Sequence, residues 1–473
     1  MIAYFVFRGL GRLALRWFYR DIELLGIERL PPEGPVLLAS NHPNALVDAL
    51  VIGCTLKRPV TLTAKATLLE NPITRGLLRA AGVVPLRRAS DDVARATGAA
   101  VLDPARNASA FSAVLDVLQR GGMVLLFPEG KSHSDPALAP LKTGLARIAF
   151  MARDERGLAI PIVPVGLTFE RKWEPRSRVL MYVGTPIYLD AATPNDSDAV
   201  AVLTHQVDAG LREVTLNFGT AQDASRVLSI STLLADVLDD FRPLGTPDPP
   251  LSESVRVAQR INAVSSRVSG LRPGLTTRID RFLERLAAFE QSTQAHRILG
   301  SDVQMTTGAA PGAWFVVREA AIAAVAGPLA LWGRVNHWVP LRIARTLALR
   351  TSRHPDEPAM HTIVAGLVLV LAFYIGQTAL VSWAFGWVAA LLYAVSLPAS
   401  ATWDFRYADR VHRAGARVRT YLRFRRDPAL HQQMLTDLGW LRAEAVALDR
   451  AIENGQRGDA AVPNASGESA VAG

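Results

Sequence analysis

Val36-Leu37-Leu38-Ala39-Ser40-Asn41-His42-Pro43-Asn44-Ala45-Leu46-Val47-Asp48 is the stretch from which the architecture of this chain can be read. Residues 36–39 form an unbroken apolar run, the pattern of a short buried strand. His42 stands just beyond it. Pro43 then fits at or near the first position of a helix, where a missing N–H costs nothing. Imidazole accepts protons near neutral pH, with a free pKa of ~6.5. A neighbouring carboxylate, here Asp48, can fix its tautomer and stabilise the imidazolium. A lone His beside an Asp at a strand end also serves structural purposes, so the pair takes its meaning from its surroundings.

Outward from this point the same rhythm repeats. Residues 60–64, 83–86, 124–127, 160–167 and 179–183 are further strand candidates, and residues 107–119 and 144–153 are helical. Such alternation predicts an α/β domain with a mostly parallel sheet flanked by helices. Active sites of open α/β sheets gather in the loops beyond the strand ends.

Hydrophobic residues make up 49% of the 473 and charged residues only 20%, a balance that favours membrane association. The formal net charge of +9 suits an anionic membrane surface or nucleic acid. With 7% aromatic residues and no nucleic-acid-binding motif, the expectation is membrane lipid and no nucleic acid. Cys54 is the one cysteine, which excludes an intrachain disulfide and a Cys-rich zinc site.

In residues 1–20, Arg8, Arg12, Arg16 and Arg20 recur every four positions among Ile2, Phe5, Leu10, Leu13, Trp17 and Phe18. A secretory signal would place its charges first. Interspersed charges predict an amphipathic helix on anionic lipid, or one packed on the domain with a solvated arginine edge. Residues 362–403 carry no charge, and these 42 residues exceed one ~30 Å hydrocarbon crossing and nearly suffice for two. Arg342, Arg345, Arg350 and Arg353 precede them; Arg406, Arg410, Arg413, Arg417 and Arg419 follow. Basic flanks on both sides place both ends on the cytoplasmic face. That requires a hairpin, spanning twice or re-entrant, with its turn at Gly376-Gln377 or around Gly386. Residues 320–332 are also apolar, but Pro328 interrupts them, and they are expected at the membrane surface or buried rather than spanning. Residues 191–310 read as helical, with a breaker cluster at 243–250.

Three more blocks follow the His42 segment. Gly82-Val83-Val84-Pro85-Leu86-Arg87-Arg88 ends an apolar run on two guanidiniums. Leu125-Leu126-Phe127-Pro128-Glu129-Gly130-Lys131-Ser132 follows another, and Ile160-Pro161-Ile162-Val163-Pro164-Val165-Gly166 is a third. In this order and at these separations the four blocks resemble the glycerolipid acyltransferase family, which acylates glycerol 3-phosphate and 1-acyl-sn-glycerol 3-phosphate. The resemblance covers about residues 20–190. It implies an acyltransferase domain at 21–220, to which the patterns above add a membrane-interface helix at 1–20 and a helical spacer at 221–310. A membrane-associated helical region follows at 311–453, containing the hairpin 362–403, and 454–473 form a disordered tail.

By the same resemblance His42 is the catalytic base and Asp48 its orienting partner. The family has four residues between the two, whereas this chain has five. A looser turn could restore the contact, or Asn44 could orient the ring instead. Arg88 matches the family's phosphate-binding arginine, with Arg87 as its rival, because planar guanidinium forks grip phosphate oxygens in pairs. Glu129 and Gly130 match the Pro-Glu-Gly block that places the acceptor. Lys131 keeps a cation where the family commonly has Thr-Arg. Lys65 matches a lysine of many relatives, and Lys142 is a weaker candidate; both also fit a snorkelling surface role. Asn41 could bring an amide near the site.

No Gly-x-Ser-x-Gly elbow supports a serine acyl-enzyme, so the acceptor hydroxyl attacks the thioester directly. No metal-ligand cluster is present, and no cofactor is expected beyond the co-substrate, acyl-CoA or acyl-carrier protein. The leading expectation is transfer onto 1-acyl-sn-glycerol 3-phosphate to form phosphatidic acid, on the cytoplasmic face of a membrane. The alternatives are glycerol 3-phosphate or another lysolipid as acceptor, and a non-catalytic lipid-binding protein.

Overall fold

A computed structural model describes residues 2–65, 70, 75, 76, 78, 82–86, 105–220, 222–224, 227, 228, 231, 250–265, 273–352 and 357–459. The chain divides into two compact units: Met1–Ala224 with Pro328–Phe405, and Ser225–Gly327 with Arg406–Gly473.

The first unit is built on one sheet. Its strands are β1 (Asp21–Leu25), β2 (Val36–Ser40), β3 (Val60–Lys65), β4 (Val84–Leu86), β5 (Met123–Leu126), β6 (Pro161–Phe169), β7 (Arg178–Val183) and β8 (Ile187–Tyr188). Their order is β1-β7-β6-β2-β5-β3-β4, with β8 also on β6. Of the seven pairings among the described residues, five are parallel; β6 with β7 and β6 with β8 are antiparallel. The six strands expected from the sequence are all present, and the mostly parallel sheet is as expected. Short edge strands β1 and β8 are additional.

Helices cover both faces. Helices α1 (Ile2–Phe18) and α2 (Leu46–Thr55) pack on one side, where Leu15, Phe18, Val51 and Ile52 meet Val36 and Leu38. On the other, α3 (Ala105–Gln119), α4 (Gly144–Arg156) and α5 (Ser197–Val214) bring Leu115, Phe150 and Val207 against Leu37 and Ala39. Every residue of β2 is buried, the reason its sequence is an unbroken apolar run rather than an alternation. Each fully buried Leu of this strand contributes about 1.5–3 kcal/mol.

Helix α1 is packed on the domain. Arg8 donates to the carbonyls of Leu56 and Lys57, and Arg12 donates to Cys54 O at 2.7 Å. Cys54 lies in the last turn of α2, where carbonyls lack partners within the helix; Leu56 is its C-cap and Lys57 follows. The expected solvated arginine edge therefore fails for Arg8, which is buried, while Arg12 stays exposed and spends only its Nε on a protein oxygen. Cys54 is buried, as its apolar setting suggests.

Among the described residues, two helices are long and apolar enough to cross a membrane: α8 (Ala309–Thr351) and α9 (Pro358–Arg426). Between α5 and these lie α6 (Leu251–Ser265) and α7 (Pro273–His296). Pro328 does not interrupt residues 320–332 as expected: with Pro340 it lies inside a continuous α8, and Val325 and Leu331 are exposed, which of the two expected placements fits the surface one. Helix α9 breaks at Gly386, with φ 84° and ψ 171°, a conformation open to glycine alone. Residues on either side of the break meet again, Val370 and Ala401 sharing one buried cluster with Trp17. This is the hairpin, and of the two turn positions considered it uses Gly386. His337 Nδ1 donates to Gly333 O at 2.7 Å, leaving Nε2 to accept from Tyr374 Oη at 2.6 Å. Its neighbour Asn336 accepts from Tyr393 Oη at 2.5 Å. Adjacent residues of α8 thus bind both arms. The tip is exposed and apolar, carrying Trp383, Phe385 and Trp387.

In the second unit α7 packs on α10 (Pro428–Asp459) around Phe282, Leu286, Phe424 and Leu438. The breaker cluster at 243–249 and the tail from 460 lie outside the described residues; 454–459 belong to α10.

Candidate active site

Where β2 leaves the sheet, the Asn41 side chain takes over its pairing. Its Oδ1 accepts from Leu167 N at 2.8 Å and its Nδ2 donates to Leu167 O at 3.0 Å. The next residue is His42, whose backbone joins two loops. Its N–H donates to Glu129 Oε1 at 2.8 Å, and its carbonyl accepts from His133 N at 3.1 Å.

His42 Nδ1 lies 2.8 Å from Asp48 Oδ2. The His42 ring is also stacked on Phe127, with centroids 3.9 Å apart and planes at 10°. One edge and one face of the imidazole are therefore fixed. Asp48 is fully buried in the first turn of α2, and the same Oδ2 accepts from Asn44 N at 2.8 Å. Burial pushes the Asp48 carboxyl above its ordinary range, opposed by the hydrogen bond to His42, the His42 charge, the Asn44 amide and the charge of Lys172. An anionic Asp48 accepts the proton on Nδ1, which leaves Nε2 as the basic nitrogen.

The six-residue step from His42 to Asp48 is absorbed before the helix begins. Helix α2 starts at Leu46, three residues after Pro43, so Pro43 is not its first residue. Ala45 takes φ 48° and ψ −131°, and its N–H donates to Ser132 Oγ at 3.0 Å. That kink turns Asp48 back toward the ring. Asn44 does not orient the imidazole through its side chain; its Nδ2 instead donates to Lys172 O at 3.1 Å and to Tyr19 Oη at 3.4 Å. Burial, with the Asp48 charge beside it, pushes the Tyr19 phenol well above its ordinary range.

Glu129 is buried, and both its oxygens are engaged. Oε1 holds His42 N; Oε2 accepts from Ala139 N at 2.9 Å and meets His133 Nε2. Its carboxylate thus holds the His42 loop in place. Gly130 turns the chain at φ 76°, its N–H donating to Phe127 O at 3.0 Å.

Residues 21–168 match the family described as Acyltransferase. The domain belongs to that family. Glycerol-3-phosphate O-acyltransferase 2 of Saccharomyces cerevisiae is 32% identical over 24% of this chain and 16% of its own length. The chloroplastic 1-acyl-sn-glycerol-3-phosphate acyltransferase BAT2 of Brassica napus is 24% identical over 35% of this chain and 42% of its own. The chain thus spans less than half the length of these two relatives. The crystal structure of the 1-acyl-sn-glycerophosphate (LPA) acyltransferase PlsC from Thermotoga maritima matches at 17% identity, covering 45% of this chain and 79% of that one, with a TM-score of 0.33.

Within the acyltransferase domain, His42 and Glu129 follow the ends of adjacent parallel strands, β2 and β5. Lys65 ends β3, in register with Leu86 at the end of β4. Arg87 and Arg88 come next in sequence but lie outside the described residues. Lys131 and Lys142 are exposed, flanking the Gly130 turn. Among the described residues no group of His, Cys, Asp and Glu could hold a metal ion. The site also contains His133 and Tyr19, together with Ser132 and Phe127, to which the sequence alone assigned no role. His133 and Ser132 were within reach, being in the run that follows Glu129; Tyr19 carries no local signal.

Proposed function

We propose that this chain transfers an acyl group from acyl-CoA or acyl-carrier protein to the free hydroxyl of 1-acyl-sn-glycerol 3-phosphate, forming phosphatidic acid. The 2.8 Å contact between His42 Nδ1 and the buried Asp48 carboxylate carries this reading, because it leaves Nε2 to act as base. As the hydroxyl oxygen attacks the thioester carbonyl, Nε2 takes its proton. The tetrahedral intermediate collapses, the C–S bond breaks, and the imidazolium returns the proton to the departing thiolate. Asp48 supports the charge on the ring throughout. Arg88 or Arg87, with Lys65 and Lys131, supply cations for the acceptor phosphate, while Glu129 and Gly130 set the loop on which His42 sits. The domain works at a membrane held by the α9 hairpin, with the arginine-rich ends of the hairpin on the cytoplasmic face.

Glycerol 3-phosphate is the second reading, favoured by the yeast relative named for that acceptor. Full-length protein in detergent, offered both acceptors and an unphosphorylated lysolipid, separates the two. The expected preference is for 1-acyl-sn-glycerol 3-phosphate. His42→Ala should lower kcat by ~10²–10⁴ while membrane association persists. Unchanged turnover in that variant removes His42 as the base, and a parent chain that turns over none of the acceptors is a lipid-binding protein rather than an enzyme. Arg88→Ala should raise the KM for phosphorylated acceptors with little effect on folding; an unchanged KM removes Arg88 from the phosphate site.

A further inference from the structure

The second unit contains a basic cleft outside the acyltransferase domain. Phe315, Arg318 and Glu319 of α8 and Arg410, Arg413 and Arg417 of α9 line a solvent-open hollow. Arg410, Arg413 and Arg417 recur at helical spacing, which places them on one face of α9. Glu319 is held from both sides, by Arg410 Nε at 2.8 Å and Arg318 Nη2 at 2.9 Å. Arg417 Nε bonds Asp302 Oδ1 at 3.1 Å. Arg413 Nε bonds the Asp409 carbonyl at 3.3 Å, a contact that neutralises no charge. Four guanidiniums thus face two carboxylates, and the ion pairs with Glu319 and Asp302 hold the arginine forks in fixed orientations before any ligand arrives.

The surroundings of the cleft are those of a membrane boundary. Trp314, Val316 and Val317, on the same turns of α8, and Val325, about two turns further along, are exposed apolar side chains. In sequence, Arg410 follows the last residue of the uncharged run 362–403 by seven positions. We propose that this cleft binds the phosphate of an anionic phospholipid headgroup, with the acyl chains lying along the exposed apolar residues of α8. Guanidinium forks match phosphate oxygens in pairs, and a net positive hollow beside apolar helix surface selects a charged headgroup attached to a lipid. The site is independent of the acyl-transfer chemistry, since none of its residues belongs to the acyltransferase domain.

The test uses the full chain in neutral detergent with dioctanoyl phosphatidylglycerol as probe and dioctanoyl phosphatidylcholine as neutral control. Phosphatidylglycerol should bind and phosphatidylcholine should not. Arg413→Gln should weaken binding about tenfold, as expected for losing charge-assisted hydrogen bonds. Arg413→Lys, which keeps the charge but not the fork, should also weaken it. Arg345→Gln removes an exposed charge elsewhere on α8 and should leave binding unchanged. Equal weakening by Arg345→Gln, or no effect of either Arg413 variant, overturns the proposal. So does displacement of the lipid by inorganic phosphate at equal concentration, which would mark a site for a free anion instead.

Discussion

Asp48 ties the chemistry of the site to its stability. Its folded-state pKa is raised above the ordinary carboxylate value by burial. The folded state therefore favours the protonated carboxyl, and that contribution is present below about pH 4 and lost as pH rises through the raised value. At neutral pH the ionised side chain, needed to hold the His42 proton, is a cost to folding. Asp48→Asn should lower kcat by ~10²-fold or more while raising Tm at pH 7, and the Tm gain should close toward pH 4. Thermal melts of both proteins across pH 4–8 check this; a lower Tm for the variant at pH 7 would mean the charge stabilises the fold. The pairing of His42 with Asp48 was legible in the sequence as two suitable residues. How five intervening residues still bring them together was not, because it depends on the backbone of Ala45, whose side chain announces no unusual conformation. The link from Glu129 to the His42 amide was equally hidden, joining loops 87 residues apart.

At the level of elements, legibility followed burial. Strands β2 and β5 are covered on both faces and read as continuous apolar runs. Strand β1 lies at the sheet edge with no fully buried residue, and its Asp-Ile-Glu-Leu-Leu sequence lacks such a run. Proline misled in α8, where a ring that would break an isolated helix is carried in a long one. Packing between elements also sets narrow tolerances that a sequence does not display. A Cβ on Gly166 of β6 would fall 1.9 Å from the Val214 carbonyl at the end of α5. Gly166→Ala should therefore destabilise the domain by about 1–3 kcal/mol, read as a lower midpoint in denaturant with the same slope. A midpoint equal to that of the parent would show that α5 gives way freely.

Across the whole molecule, the hairpin sets how the chain meets a bilayer. Residues 362–385 span ~36 Å as a helix and 387–403 span ~26 Å, close to one hydrocarbon thickness each. Since Cys54 is the sole cysteine and is buried, Phe385→Cys offers a single reactive thiol at the tip. In sealed vesicles, an impermeant maleimide should label it only from the side opposite the arginine-rich flanks. Labelling from the same side, or none until detergent is added, would instead describe a re-entrant loop. A different consequence follows from the sheet edge. Asp21 to Leu25 find their neighbours only at Arg178 to Tyr182, and Trp17 rests on Ala401 and Val370. During synthesis the first strand thus leaves the ribosome long before its partner exists, and the indole waits longer still. Such a nascent polypeptide must keep an open edge and a greasy flank shielded from its neighbours until most of its codons have been read, which makes chaperone cover a condition of its birth.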